Sequence, residues 1–203
     1  MLITFEGIDG CGKTTQIELL AVYLIELGKD VLTLREPGGT EFSEKIRDLL
    51  LHSKDVLTYQ SELFLFEAAR VDLVAKVIKP ALTEGKTVIL DRFYDSTTAY
   101  QGFGRGIDLS IVKRMNELAV EGLKPNITFF LDIPLDVSYQ RSNHRQPDKI
   151  ERAGDEFFKR VIEGYRKIAN DEPERIVSID GSLEKQKINE KIKEIIKKSP
   201  GKF

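Results

Sequence analysis

The sequence holds a single cysteine, Cys11, and no tryptophan. One thiol excludes an intrachain disulfide and fits a reducing compartment. No apolar run approaches the ~18 residues expected of a membrane span. The first residues, MLITFEGIDG, lack a basic segment and a long apolar core, so no secretory signal is expected there and the expected location is cytoplasmic. Nor does one sign of charge dominate: 31 Lys and Arg face 33 Asp and Glu, a net charge of −2. A protein that coats nucleic acid or an anionic membrane needs a strong basic excess. No nucleic-acid or membrane partner is therefore expected, and a phosphate site must come from local clustering of Lys and Arg. Internal repeats and low-complexity linkers are absent as well.

What is present is an ordinary globular composition, 41% hydrophobic and 32% charged. The 203 residues suit one domain, 1–203, with a substantial core. Short β-rich runs alternate with longer helical patterns. Leu2–Glu6, Asp30–Arg35, Lys86–Asp91, Asn126–Asp132 and Arg175–Ile179 read as strands. Most are nearly continuous in Val, Ile, Leu or Phe, as expected where both faces of a parallel sheet are covered. Lys13–Leu27 places Ile17, Leu20, Leu24 and Leu27 at helical spacing and stops at Gly28. Ser61–Leu82 reads as one long helix interrupted only near Pro80, and Leu109–Gly122 follows Asp108 as N-cap. Gly154–Asn170 and Leu183–Lys197 are the last two helical stretches. The alternation predicts an α/β fold, a doubly wound parallel five-stranded sheet with ligands at the strand carboxyl ends. Residues 141–152, RSNHRQPDKIER, are polar, cationic and broken by Pro147, and read as a short mobile lid.

Gly7-Ile8-Asp9-Gly10-Cys11-Gly12-Lys13-Thr14 matches G-x-x-x-x-G-K-[ST], follows a strand pattern and opens a helix pattern. Glycines let the backbone curl so that its N–H groups point at phosphate oxygens, and the helix N-terminus adds roughly half a positive charge. The pattern makes the fold P-loop NTPase-type and assigns Gly7 to Thr14 to ATP. Lys13 should reach the β- and γ-phosphates and the Thr14 hydroxyl should help hold Mg²⁺. Cys11, at a helix N-terminus, is expected beneath the phosphates, open to alkylation and shielded by MgATP.

Lys86–Asp91 ends in a carboxylate that suits the Mg²⁺ side. Asp132 ends a similar strand, but Asp91 is preferred because Arg92 follows at once. Phe66 and Arg70 lie four apart on one helical face, where a ring and a forked donor could stack and hydrogen-bond a base. Asp91–Gln101, DRFYDSTTAYQ, concentrates hydroxyls, amides and Arg where a strand ends, the place for a specificity loop.

FEGIDGCGKTT, LREPGGT, LFLFEAAR, DRFYDSTTAYQG and the Arg-bearing stretch before DEFFKRVIEGY together resemble bacterial thymidylate kinases, from the first strand to the last helices. The resemblance implies that Phe66 stacks on thymine, Arg70 bonds its edge and Arg92 holds the acceptor phosphate, with Arg47 a second candidate. It also implies that Thr97 and Gln101 approach the base, that Tyr100 crowds the ribose 2′ position, and that Asp9 lies near the acceptor 3′-hydroxyl. Some family members carry a catalytic Arg in the P-loop; here that position is Gly10. The resemblance then points to lid arginines, chiefly Arg145, with Arg141 or Arg152 as the alternatives; Arg141 is also a candidate ATP contact. It implies a homodimer.

The expected reaction is phosphoryl transfer from ATP to thymidine monophosphate, with Lys13, Arg92 and Arg145 catalytic and Mg²⁺ as cofactor. The acceptor is already an anion, so positioning and charge neutralisation suffice. A deoxynucleoside kinase is the rival: its neutral 5′-hydroxyl acceptor profits from a carboxylate base, and Glu36, after a strand end, stands about where that base or another substrate contact would be. A guanine-nucleotide switch would carry N-K-x-D, which the sequence lacks.

Overall fold

Five apolar runs pair into one sheet because none can satisfy its backbone or cover its side chains alone. The computed structural model describes residues 1–53, 56–142, 150 and 153–198. Its strands are β1 (Leu2–Glu6), β2 (Val31–Arg35), β3 (Thr87–Asp91), β4 (Ile127–Asp132) and β5 (Ile176–Asp180). All pair in parallel in the order β2-β3-β1-β4-β5. Every residue of β1 is buried, whereas edge strand β2 is half-exposed. That is the pattern of a sheet with helices on both faces.

Register places the site. Phe5 of β1 and Arg35 of β2 both pair with Asp91 of β3. The segments leaving β1, β2 and β3 therefore emerge side by side at the carboxyl edge. Thr4 and Thr128 share a buried 2.7 Å hydroxyl contact across β1 and β4, and the Phe5 and Phe129 rings sit 5.2 Å apart beneath it. Burying side chains of this size contributes about 1.5–3 kcal/mol each.

Helix α1 (Lys13–Glu26) packs on the sheet through Ile17, Leu20 and Leu24. Helix α2 (Glu41–His52) is missing from the expected elements, although Phe42, Ile46, Leu49 and Leu50 recur in it at helical spacing. Its start is fixed by Thr40, whose side chain accepts from Ser43 N. The run expected as Ser61–Leu82 is α3 (Tyr59–Leu73), a π-helical stretch (Val74–Ile78) and α4 (Lys79–Thr83). The irregularity thus lies before Pro80 rather than at it. Proline has no N–H and its ring crowds the carbonyl four residues back, so the backbone widens upstream.

The expected specificity loop is helical too: α5 (Tyr94–Thr97) runs into a second π-helical stretch, Thr98–Gly104. Then come α6 (Leu109–Val120), capped by the Asp108 carboxylate on Ser110 N, and α7 (Leu135–Ser142). Helices α8 (Asp155–Asp171) and α9 (Lys185–Lys197) are the last elements among the described residues. The 141–152 lid lies mostly outside the described residues, and Arg145 and Arg152 fall there. Among the described residues no helix is long and apolar enough to cross a membrane.

Candidate active site

The loop after β1 reaches α1 through Gly12, whose φ of 97° is left-handed. At Gly7 (φ 135°) a Cβ would lie 2.6 Å from the Leu131 carbonyl oxygen and 2.9 Å from Cys11 Sγ. Only glycine lets the chain pass β4 this closely. Lys13 Nζ arches over the loop and donates to the Gly7 (3.1 Å) and Ile8 (3.3 Å) carbonyls. Thr14 Oγ1 donates to Asp91 Oδ2 at 3.2 Å, and Lys13 Nζ lies 4.0 Å from Asp91 Oδ1. Asp132 is held instead by Arg166 at 2.8 and 3.1 Å. Asp91 is thus the strand-end acid that faces the loop.

Asp9, Gly10, Cys11, Gly12, Lys13 and Thr14 line a cleft of about 1060 Å³, with Asp91 and Arg141. Gly7 and Ile8 stand behind it. Arg141 donates to the carbonyls of Gly181 (2.9 Å) and Gly10 (3.4 Å), joining the loop to the segment after β5. Cys11 departs from expectation: it lies in the cleft wall, but its side chain is turned into the core and is 0% exposed. Burial pushes the thiol up, against the pull of Lys13. A helix N-terminus cannot activate a sulfur that packs away from it.

A second pocket of about 120 Å³ adjoins the cleft. All the substrate candidates line it, from Asp9 to Gln101. Asp9, Glu36, Arg47 and Arg92 line both cavities, so the two meet at these side chains. Arg92 donates to Asp9 Oδ1 at 3.0 Å and to the Gly7 carbonyl at 2.9 Å, and stands 5.1 Å from the Tyr100 ring centroid. Arg47 donates to the Pro37 carbonyl at 2.9 Å. Phe66 is half-buried at the wall. The Tyr100 hydroxyl is buried with no hydrogen-bond partner among the described residues.

Arg70 is 2% exposed, and its donors reach Glu36 (2.9 Å), Glu67 (2.8 Å), Asn116 (3.2 Å) and Thr97 (2.9 Å). The forked donor expected at a base edge is the hub of a buried network. Two carboxylates share this one guanidinium. Burial pushes Glu36 up to about 7, with Glu67 adding to the rise and Arg70 opposing it.

Sequence reasoning missed the residues that hold these groups in place. Glu6 accepts from Phe93 N (2.7 Å), Ser96 Oγ (2.6 Å) and Tyr165 Oη (2.9 Å). Ser96 and Tyr165 in turn each accept from Arg92 at 3.3 Å. Arg92 has a φ of 69°, a strained setting for a long side chain, and the Glu6–Phe93 bond holds the backbone beside it. Burial and the Asp95 carboxylate push Glu6 up. The signal was there: Glu6 is an ionisable side chain ending a strand that is otherwise apolar or Thr.

The family model described as Thymidylate kinase matches residues 5–192. A thymidylate kinase of Prosthecochloris aestuarii (strain DSM 271 / SK 413) is 51% identical over 97% of this chain and 92% of that protein. One of Thermoanaerobacter sp. (strain X514) is 45% identical over 97% of each. Among solved structures, the crystal structure of thymidylate kinase from Ehrlichia chaffeensis matches with a TM-score of 0.79 at 40% identity, covering 97% of this chain and 98% of that one.

Proposed function

The chain belongs to the thymidylate kinase family, and on that premise we propose that it transfers the terminal phosphoryl group of ATP to thymidine monophosphate, giving thymidine diphosphate and ADP. The observation that carries this reading is the junction of a large P-loop cleft with a smaller aromatic-walled pocket at Asp9, Glu36, Arg47 and Arg92. Donor and acceptor phosphates would meet there, with cations on both sides.

ATP lies in the larger cleft, its phosphates on the backbone N–H groups of Gly7 to Thr14. Lys13 swings from the loop carbonyls to the β- and γ-oxygens, and Arg141 holds the far side. Thr14 Oγ1 and the Asp91 carboxylate, both hard oxygen donors, fit Mg²⁺. When bound, that ion neutralises charge on the β- and γ-phosphates. Thymidine monophosphate lies in the smaller pocket with its base on Phe66, between Thr97 and Gln101. Arg92 and Arg47 hold its phosphate, Asp9 meets the 3′-hydroxyl, and Tyr100 fills the space a 2′-hydroxyl would need. Arg70 supports the base edge through Thr97. Arg145 supplies the lid cation that Gly10 leaves out of the P-loop. The acceptor phosphate needs no base, so catalysis is alignment and charge neutralisation.

Residues 1–203 act as one kinase domain, with 141–152 as its lid, in the cytoplasm and without nucleic acid or membrane as partner. A homodimer is supported by exposed apolar pairs seven residues apart: Phe42 and Leu49 on α2, Phe64 and Val71 on α3, Ile111 and Leu118 on α6. A seven-residue spacing keeps each pair on one helix face, and neighbouring exposed stripes suit an interface. A monomeric mass by light scattering at micromolar concentration would overturn that part.

The rival with Glu36 as base for a neutral hydroxyl is not favoured, because Glu36 is tied to Arg70 at 2.7 Å and the relatives are thymidylate kinases. ADP release measured across a panel of nucleoside monophosphates tests the reading. Turnover should be highest with thymidine monophosphate, and a purine monophosphate turned over faster would overturn it.

A further inference from the structure

Gln101 stands in the wall of the smaller pocket, and its amide is not free to turn. Its Nε2 donates to Glu62 Oε1 at 2.9 Å in a buried contact between the second π-helical stretch and the first turn of α3. Glu62 is itself gripped by the fork of Arg105, with Nε on Oε1 at 3.1 Å and an NH₂ group on Oε2 at 3.0 Å. The Arg105 guanidinium lies 4.5 Å from the Phe157 ring centroid and 5.0 Å from that of Tyr59, so two aromatic rings help to fix it. Nothing in the transfer chemistry uses Glu62 or Arg105.

A carboxylate paired with a guanidinium offers lone pairs and no proton. It takes only the NH₂ end of the amide; the reverse orientation would press two oxygens together in a buried site. The carbonyl Oε1 is then the end left for the pocket, and no donor among the described residues reaches it. We infer that Glu62 and Arg105 are positioning residues that lock the Gln101 amide with its oxygen toward the acceptor base, so that the pocket selects a pyrimidine whose ring N3 carries a proton. The inference rests on the proposed function, in which this pocket holds a nucleoside monophosphate. Thymine and uracil present N3–H as a donor between two carbonyls. Cytosine presents a bare N3 lone pair, which would face the Gln101 oxygen as acceptor against acceptor. A site built to hydrogen-bond one partner rejects an analogue lacking that group far more strongly than a site that only encloses it.

Binding of thymidine and deoxycytidine monophosphates, measured by calorimetry, tests this alongside kcat/KM for each. In Glu62→Gln the new side chain can donate as well as accept, so the Gln101 amide is able to reverse. The preference for thymidine over deoxycytidine monophosphate should drop at least about tenfold, mainly through KM and Kd. Glu62→Asp, which keeps a carboxylate, should retain most of the preference, and Arg105→Ala should lose it through the unanchored Glu62. A folded Glu62→Gln protein with wild-type preference overturns the inference. So does an equal loss for both nucleotides, which would mark a purely structural contact. Should Glu62→Gln fail to fold, Arg105→Ala decides by the same ratio. Wild-type protein that binds thymidine monophosphate selectively but does not phosphorylate it would overturn the kinase reading alone. Wild-type protein with no binding preference would overturn the clamp.

Discussion

Lys13 and Arg92 donate to the same oxygen: the Gly7 carbonyl lies 3.1 Å from Lys13 Nζ and 2.9 Å from the Arg92 guanidinium. One cation comes from the first turn of α1 and the other from the residue after β3. On the proposed reading, their meeting at the root of the P-loop is where the donor and acceptor phosphates come together. Lys13→Ala should therefore lower kcat by about 10²–10³ while the protein stays folded, because a charge on that group is lost. Wild-type turnover in a variant with a native circular dichroism spectrum would contradict the assignment.

The two lid-side arginines should separate kinetically. Arg141 is anchored on the Gly10 and Gly181 carbonyls; if it holds ATP as proposed, Arg141→Ala should raise KM for ATP and change kcat less than about tenfold. Arg145→Ala should lower kcat and kcat/KM together by about 10³ or more, with KM nearly unchanged, as for a cation felt only in the transition state. The opposite pattern would exchange their roles.

Cys11 faces the core, so alkylation should follow opening of the fold rather than occupancy of the cleft. Iodoacetamide should label the native protein slower by orders of magnitude than the denatured chain. Rapid stoichiometric labelling of native protein, blocked by MgATP, would mean the thiol lies in the cleft after all.

Glu36 predicts a pH signature in stability. Its folded value of about 7 lies above the ordinary 4.5, so the folded protein holds this proton more tightly than the unfolded chain. The stability it contributes is full below pH 4.5 and is lost as pH rises through about 7. Glu36→Gln has no proton to lose. Its unfolding free energy relative to wild type should therefore rise by about 3 kcal/mol between pH 4.5 and 8. A pH-independent difference in urea titrations would show that Glu36 is ionised throughout.

What could be read in the sequence divides along a physical line. The strands were legible because β1, β3 and β4 are apolar on both faces, and the P-loop because Gly, Lys and Thr are needed there in a fixed order. Asp91 was chosen over Asp132 from the Arg92 beside it, and the geometry agrees on which acid faces the loop. Backbone irregularity was not legible: the widening at Val74–Ile78 responds to a proline downstream of it, and Thr98–Gly104 carries no punctuation that marks a π-helix. The supporting shell stayed hidden for another reason. Glu62, Arg105 and Tyr165 gain meaning only from partners 39 to 159 residues away, and a lone charge in a helix pattern reads as a solvated face. The Arg70 expectation shows the same limit, since a forked donor near a pocket gives no sign that two buried glutamates already occupy it.

The central claim is that phosphate, not hydroxyl, accepts the transferred group. Incubation with γ-labelled ATP and either thymidine monophosphate or thymidine, followed by separation of the labelled products, tests it most directly. Label is expected in the β-phosphate of thymidine diphosphate and none in a product of thymidine. Label entering thymidine to give the monophosphate, at a rate equal to or above that for the monophosphate acceptor, would contradict it.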